Sequence, residues 1–139
     1  MKAIPYLSYN GTCEEAVLFY RTVLGGEAQF TRFSDLPGDQ GIPVRDAWKS
    51  KIMHAALTFG DGVVLYFSDT WEETPLTVGS NATVHLSVDS EEDVRRIVAG
   101  LSHGGEVTMP ADRTFWGAVY GSLIDKYGVQ WGVEYELPS

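Results

Sequence analysis

The chain has 139 residues, of which 44% are hydrophobic and 21% are charged, and this suits one domain or two small modules with a real core. The net charge of −9 argues against nucleic acid or an anionic membrane as a partner, because such binding depends on clustered Lys and Arg. A single cysteine allows no intrachain disulfide, and no apolar run approaches the roughly 18 residues of a membrane span, so we expect a cytoplasmic protein.

The first half of the chain is predicted to start with a strand at Tyr6 and to continue with a helix. Thr12 or Asn10 can cap the start of this helix, and acidic residues in its first turn suit the helix dipole. Gly25-Gly26 marks its end. The apolar face of the helix is predicted to consist of Ala16, Val17, Phe19, Tyr20, Val23 and Leu24.

Three more strands are predicted before residue 70. The first covers Glu27–Ser34. The other two, Ile52–Phe59 and Val63–Ser68, form a hairpin around Gly60-Asp61-Gly62, where glycine suits a tight turn. Asp35–Ser50, between the strand Glu27–Ser34 and this hairpin, is rich in Pro and Gly and is predicted to be a long mobile loop.

The second half of the chain repeats the first. Leu7-Ser8 and Leu86-Ser87 are 79 positions apart, and so are Gly25-Gly26-Glu27 and Gly104-Gly105-Glu106. Matches at one fixed offset indicate a duplicated structural unit. The elements of the second half should therefore follow in the same order as those of the first.

In this second copy, Thr83–Val88 alternates strictly between apolar and polar residues, which is typical of a half-buried strand. Ser90 can cap the helix that follows. The apolar face of that helix is predicted to be Val94, Ile97, Val98 and Leu101. Glu106–Met109 is the next strand, and Trp116–Ile124 and Val129–Tyr135 form the closing hairpin.

This order predicts an α+β protein made of tandem βαβββ modules. The first module is predicted to cover residues 1–70 and the second residues 82–139, with a linker at residues 71–81. Because side chains alternate along a strand, each predicted strand has a face toward its helix and a face away from it.

The face away from the helices carries rings with a few polar groups, which is the usual composition of a small-molecule pocket. The residues that we assign to ligand binding on this face are Tyr6, His54, Tyr66, His85, Trp116, Tyr120 and Gln130. Glu134 is the candidate catalytic base, because burial among rings would raise the pKa of its carboxyl. Cys13 lies near a predicted helix N-terminus, which lowers the pKa of a thiol.

Three stretches carry a resemblance to a known family: YLSYNGTCEEAVLFYRTVLGGE, IMHAALTFGDGVVLYFSD and TFWGAVYGSLIDKYGVQWGV. Together they span both modules. With this module order, the chain resembles the vicinal oxygen chelate superfamily, which includes glyoxalase I, bleomycin resistance proteins and extradiol dioxygenases. Within that superfamily it is most similar to the PhnB-like branch.

The resemblance implies the glyoxalase/bleomycin resistance fold, in which the modules form a curved, cup-shaped mixed sheet, usually in a homodimer. Metal enzymes of the superfamily place ligands on the first and last strands of each module. The matching positions in this chain are Ile4 or Pro5, Tyr66, Thr83 and Gly132. A divalent ion normally needs three or more His or carboxylate ligands, so we expect no cofactor.

We therefore expect a PhnB-like protein that holds a small organic molecule in an aromatic-lined cup without the usual metal site. The alternative is a divalent-metal-dependent lyase, isomerase or dioxygenase of the same superfamily, with His54, His85 and Glu134 as ligands. A third possibility is a metal-free acid–base enzyme that uses Glu134 or a histidine as the base.

Overall fold

The computed structural model of the chain describes residues 1–37, 44–71 and 74–139. It divides into two compact units, Met1–Thr77 and Val78–Ser139, called module one and module two below. Each unit contains a strand, a helix and three further strands, so the predicted tandem βαβββ architecture is confirmed. None of the helices in the described parts of the chain is long and apolar enough to cross a membrane.

Module one is a four-stranded mixed sheet with one helix. Its elements are β1 (Tyr6–Tyr9), α1 (Cys13–Leu24), β2 (Glu27–Arg32), β3 (Ile52–Phe59) and β4 (Val63–Asp69). The strands lie in the order β1-β4-β3-β2, with β1 parallel to β4 and the other neighbours antiparallel. The predicted hairpin is therefore the centre of this sheet.

Module two repeats this arrangement. Its elements are β5 (Val84–Ser87), α2 (Glu91–Leu101), β6 (Glu106–Arg113), β7 (Ala118–Ile124) and β8 (Gln130–Glu136). The strands lie in the order β5-β8-β7-β6, with β5 parallel to β8 and the other neighbours antiparallel. Both sheets thus place the first strand of the module beside the last.

Three predicted strand ends differ from the observed ends by two or more residues. β2 ends two residues early, because a 3₁₀ turn over Phe33–Asp35 follows it and the Asp35 carboxylate accepts the Arg32 amide. β6 is four residues longer than predicted, since an edge strand tolerates Pro110 where its pairing with β7 is irregular. β7 starts at Ala118, so Trp116 lies in the turn before the strand.

The two segments predicted to lack regular structure are only partly described. Within Asp35–Ser50, residues 38–43 lie outside the described residues, while Asp46–Trp48 forms a second 3₁₀ turn. The indole of Trp48 in that turn donates a 3.0 Å hydrogen bond to the Thr70 carbonyl. Residues 72 and 73 of the predicted linker also lie outside the described residues.

Every second residue of the strands is buried against the helix of its module, as the period-two pattern predicts. In module two, the buried apolar residues beneath α2 include Val84, Leu86, Val94, Ile97, Val98, Leu101, Val119, Leu123, Trp131 and Val133. The counterpart in module one contains Ala16, Val17, Tyr20, Ile52, Ala55, Leu57, Leu65 and Phe67. Burial of these side chains is the main force that holds each helix on its sheet.

The start of α1 is not capped as predicted. Thr12 occupies the N-cap position, but its side chain makes no capping hydrogen bond. Instead the buried carboxylate of Asp69, at the end of β4, accepts hydrogen bonds from the amides of Gly11 and Cys13 with Oδ1 and from the amide of Ile52 with Oδ2. The prediction for α2 is confirmed, because the Ser90 hydroxyl accepts the Asp93 amide at 3.1 Å.

The repeated glycine pair has a packing reason in both modules. A Cβ added at Gly26 would lie 2.0 Å from the Thr58 carbonyl oxygen, and one added at Gly105 would lie 2.2 Å from the Ile124 carbonyl oxygen. Both glycines therefore allow the chain after the helix to run against the end of the central hairpin. A side chain at either position would force the backbone apart.

Candidate functional site

The candidate site of module two lies on the sheet face that points away from α2, called open face two. It is formed by alternate residues of three strands, because His85 pairs with Gly132 and Tyr120 pairs with Glu134. Gln130 follows on the same face of β8, two positions before Gly132. The pairing of β5 with β8 thus brings His85 and Gly132, which are 47 positions apart in sequence, onto one surface.

Glu134 is the polar centre of open face two. Its Oε2 accepts a 3.1 Å hydrogen bond from the Trp116 indole, and its Oε1 lies 3.8 Å from His85 Nε2. The centroid of the Tyr120 ring lies 6.2 Å from that of the His85 ring and 6.2 Å from that of the Trp116 ring. Trp116 is 53% exposed, so its ring remains available for contact with a ligand.

The side chains of His85 and Tyr120 pack closely over Gly132 in the middle of this group. A Cβ built on Gly132 would lie 3.1 Å from His85 Nδ1 and 3.1 Å from the Tyr120 hydroxyl oxygen. Two polar atoms from different strands therefore converge on the space above one glycine. These two side chains therefore cover the glycine, and a side chain at this position would have to displace them.

The corresponding face of module one, called open face one, is more closely filled. The Tyr6 hydroxyl and His54 Nδ1 share a 2.9 Å hydrogen bond. The Tyr66 ring contacts both partners edge-on, with its centroid 5.8 Å from the Tyr6 ring and 4.8 Å from the His54 ring. This face therefore presents three rings in mutual contact.

The two open faces are related by the duplication. Tyr66 pairs with Tyr6 across β1 and β4, just as Gly132 pairs with His85 across β5 and β8. Each module thus carries one tyrosine and one histidine around the central position of its last strand. In module one that position holds a tyrosine ring, whereas in module two it holds no side chain at all.

The structure brings the predicted ligand-binding residues together in two groups. Tyr6, His54 and Tyr66 form one group on open face one, and His85, Trp116, Tyr120, Gln130 and Glu134 share open face two. Trp116 joins its group from a turn rather than from a strand. Sequence reasoning treated Gly132 only as a missing metal ligand and did not predict that His85 and Tyr120 pack over it, although aligning Gly62 with Gly128 places Tyr66 at the same position.

The prediction of a lowered thiol pKa at Cys13 is wrong. Burial raises the pKa of this thiol, and the neighbouring charges of Asp69 and Glu14 raise it further. These effects outweigh the helix N-terminus, which favours a thiolate. Cys13 is fully buried and therefore stays a protonated core residue.

Potential metal ligands are few on either face. On open face two, His85 and Glu134 lie close together, and on open face one His54 hydrogen-bonds with Tyr6. Within the described ranges 1–37, 44–71 and 74–139, no cluster of three or more His, Cys, Asp or Glu is arranged to hold a metal ion. The donor set on each face is thus smaller than the three or four protein ligands that zinc sites use.

Known proteins resemble this chain over nearly its whole length. Residues 4–133 match the model of the Glyoxalase/Bleomycin resistance protein/Dioxygenase superfamily. Protein YjdN of Escherichia coli (strain K12) is 28% identical over 141 residues, which cover 94% of this chain and 92% of YjdN. The crystal structure of protein PA1353 from Pseudomonas aeruginosa is 37% identical, covers 99% of both chains and has a TM-score of 0.87.

A more distant structure shares the fold. The PhnB protein from Bacillus cereus is 22% identical and has a TM-score of 0.75, with 97% of this chain and 99% of that chain covered. At this identity the similarity concerns the arrangement of helices and strands alone. The arrangement of helices and strands is therefore shared by this chain and these two solved structures.

Proposed function

Because the chain belongs to the glyoxalase/bleomycin resistance protein/dioxygenase superfamily, we propose that it binds a small organic molecule on the open faces of its sheets. The observation that carries this proposal is open face two, where Trp116, Tyr120 and His85 surround the Glu134 carboxylate. Exposed rings next to a few fixed polar groups are what a small planar ligand requires for stacking and orientation. We also assign the chain to the PhnB-like branch, which the fold shared with the PhnB protein supports.

A thermal-shift screen of planar aromatic compounds, extended to glycopeptide antibiotics, tests this function. We expect at least one compound to raise the melting temperature saturably, because a ligand present at 100 times its Kd stabilises the folded state by about 2.7 kcal/mol. The Trp116→Ala variant should lose the response, whereas Trp71→Ala, which removes a tryptophan of module one, should keep it. A library without a saturating compound, or an unchanged response in Trp116→Ala, would refute the proposal.

The proposed binding needs no metal ion. The positions at which metal enzymes of the superfamily carry ligands hold Tyr66, Thr83 and Gly132 in this chain, and none of these supplies a His or carboxylate. His85 and Glu134 lie close together on open face two, but among the described residues no third His, Cys, Asp or Glu joins them in a group that could hold a metal ion. The residues present therefore do not fit a divalent ion, and the general-base role of Glu134 stays a prediction.

Metal content is the check on this part of the proposal. Protein purified without chelator should contain no stoichiometric Zn, Mn, Ni or Fe, and addition of these ions should leave its melting temperature unchanged. One ion per chain that is lost in both His85→Ala and Glu134→Ala would instead support the metal-dependent lyase, isomerase or dioxygenase. Glu91→Ala, which removes an acidic residue of α2 outside open face two, is the matched control.

We further propose that the protein is a cytoplasmic homodimer. The single cysteine, which is reduced and buried, fits a reducing compartment, and family membership supports the dimer. Sedimentation equilibrium should give twice the chain mass of 15.3 kDa. A monomer at micromolar concentration would rule out the dimer.

A further inference from the structure

We propose that open face two binds an organic cation, a molecule in which a protonated amine is attached to a planar ring. The proposal deepens the function assigned to this face and rests on it. In the bound state the ring stacks on Trp116, and the ammonium group pairs with the Glu134 carboxylate. Both side chains reach solvent, with Trp116 53% exposed and the Glu134 side chain 31% exposed, so the ligand can bind at the surface of the sheet.

The negative charge of Glu134 is not balanced by a basic side chain of open face two. The strands β5, β7 and β8 contain no Lys or Arg, and neither does the turn that carries Trp116. Arg113 of β6 is directed away from this face, since its guanidinium lies 3.5 Å from the carboxylate of Glu91 in α2. In the described part of the chain, the polar contacts of the Glu134 side chain are those with Trp116 and His85, so its charge is available to a ligand.

The Glu134 carboxylate can accept a further hydrogen bond. Its Oε2 accepts the Trp116 indole N–H at 3.1 Å, whereas its Oε1 lies 3.8 Å from His85 Nε2, which is beyond hydrogen-bonding distance. A carboxylate has about four lone-pair sites, so an ammonium group can bind Oε1 without displacing the indole. The hydrogen bond to the indole also holds the carboxylate at the edge of the Trp116 ring, within reach of a short amine arm on a stacked ligand.

The aromatic rings beside Glu134 favour the same sign of charge in the ligand. The Trp116 ring lies edge-on to Phe115, with their centroids 5.0 Å apart, and its centroid is 6.2 Å from that of Tyr120. Phe115 is 97% exposed and enlarges the aromatic surface that a ligand meets. The faces of such rings attract an ammonium group, and tryptophan attracts it most strongly. The net charge of −9 on the chain acts in the same direction, because it draws cations toward the protein.

Three probes with one ring system and different charges test the proposal: tryptamine, which is a cation, tryptophol, which is neutral, and indole-3-acetate, which is an anion. Each is titrated into nitrogen-labelled protein in low salt at about pH 8, where histidine side chains are uncharged and do not offset Glu134. The Kd is measured from the NMR shift of the Trp116 indole N–H. We expect tryptamine to bind about fivefold more tightly than tryptophol, and indole-3-acetate to bind most weakly.

Two variants assign this preference to the Glu134 carboxylate. Glu134→Gln removes the charge but keeps an oxygen that accepts the Trp116 N–H, and it should bring the Kd of tryptamine to within about twofold of the Kd of tryptophol. Glu92→Gln makes the same change in net charge at an exposed residue of α2, on the other side of the sheet, and should keep the fivefold preference. If Glu134→Gln does not fold, salt decides. In about 1 M NaCl the Debye length falls to about 3 Å, and the preference of the wild type should fall to about twofold.

The outcomes distinguish the cation site from the function on which it rests. Equal binding of tryptamine and tryptophol to the wild type, or a preference that survives in Glu134→Gln or in high salt, overturns the cation site and leaves the binding function standing. A preference that is also lost in Glu92→Gln belongs to the net charge of the chain and overturns the cation site as well. If none of the three probes shifts the Trp116 signal saturably, both proposals are wrong.

Discussion

Replacement of Asp69 by alanine is expected to lower the free energy of unfolding of module one by about 3–5 kcal/mol. The Asp69 carboxylate is 3% exposed and accepts three backbone amide hydrogen bonds of 2.8–2.9 Å. Alanine would leave the amides of Gly11, Cys13 and Ile52 without their acceptor. The start of α1 would lose its connection to β3 and β4 as well.

Urea unfolding measures this effect, with the fluorescence of Trp48 and Trp71 reporting on module one. Asp89→Ala is the matched control, because it removes an exposed carboxylate and should change the free energy of unfolding by less than about 0.5 kcal/mol. Asp69→Asn, which keeps the shape and one acceptor oxygen, should fall between the two. A loss in Asp69→Ala no larger than that in Asp89→Ala would show that the three hydrogen bonds are not needed.

Gly105→Ala is expected to destabilise module two by about 3 kcal/mol or more. The added methyl would lie 2.2 Å from the Ile124 carbonyl oxygen and 2.8 Å from the Asp125 carbonyl carbon. These are backbone atoms at the turn of the central hairpin, so no flexible side chain can yield. Gly105 has no positive φ, and the cost therefore comes from overlap and not from a left-handed backbone.

Gly25→Ala separates the cost of steric overlap from the cost of a strained backbone conformation. Gly25 has a φ of 77° and a ψ of −164°, a backbone region essentially restricted to glycine, but no atom lies within 4 Å of an added Cβ, so alanine there should cost about 1–3 kcal/mol of backbone strain alone. Gly79→Ala in module two should be nearly neutral. Thermal or urea unfolding of the three variants should rank Gly105→Ala as the most damaging, and a smaller effect than that of Gly25→Ala would contradict the steric argument.

The fold could be predicted where the sequence pattern involves neighbouring residues or occurs in both halves of the chain. Strict alternation in Thr83–Val88 separated the buried side of β5 from His85, and the Ser90 cap depends only on residues three positions apart. The offset of 79 residues revealed the duplication. The cap on α1 was not predictable, because its acceptor, Asp69, lies 56 residues along the chain from Cys13.

The sequence predicted on which face of the sheet the site residues lie, but not which of them contact one another. Alternation correctly placed His85, Tyr120 and Glu134 on one surface, because the face to which a strand side chain points follows from its position in the period-two pattern. The hydrogen bond between Tyr6 and His54 depends on how β1, β3 and β4 are arranged in the sheet, which no local pattern gives. The close packing of His85 and Tyr120 over Gly132 was likewise not predicted, because it depends on how β5, β7 and β8 are arranged in the sheet.

An NMR titration of nitrogen-labelled protein with indole tests most directly whether open face two is a binding surface. We predict saturable chemical-shift changes for the Trp116 indole N–H and for the Gly132 and Glu134 amides. The amide signals of α2, on the other side of the sheet, should not shift. Trp116→Ala should weaken this binding about tenfold, which corresponds to the loss of a stacking partner. Shifts that never saturate, or that occur only outside open face two, would contradict a ligand site on this face.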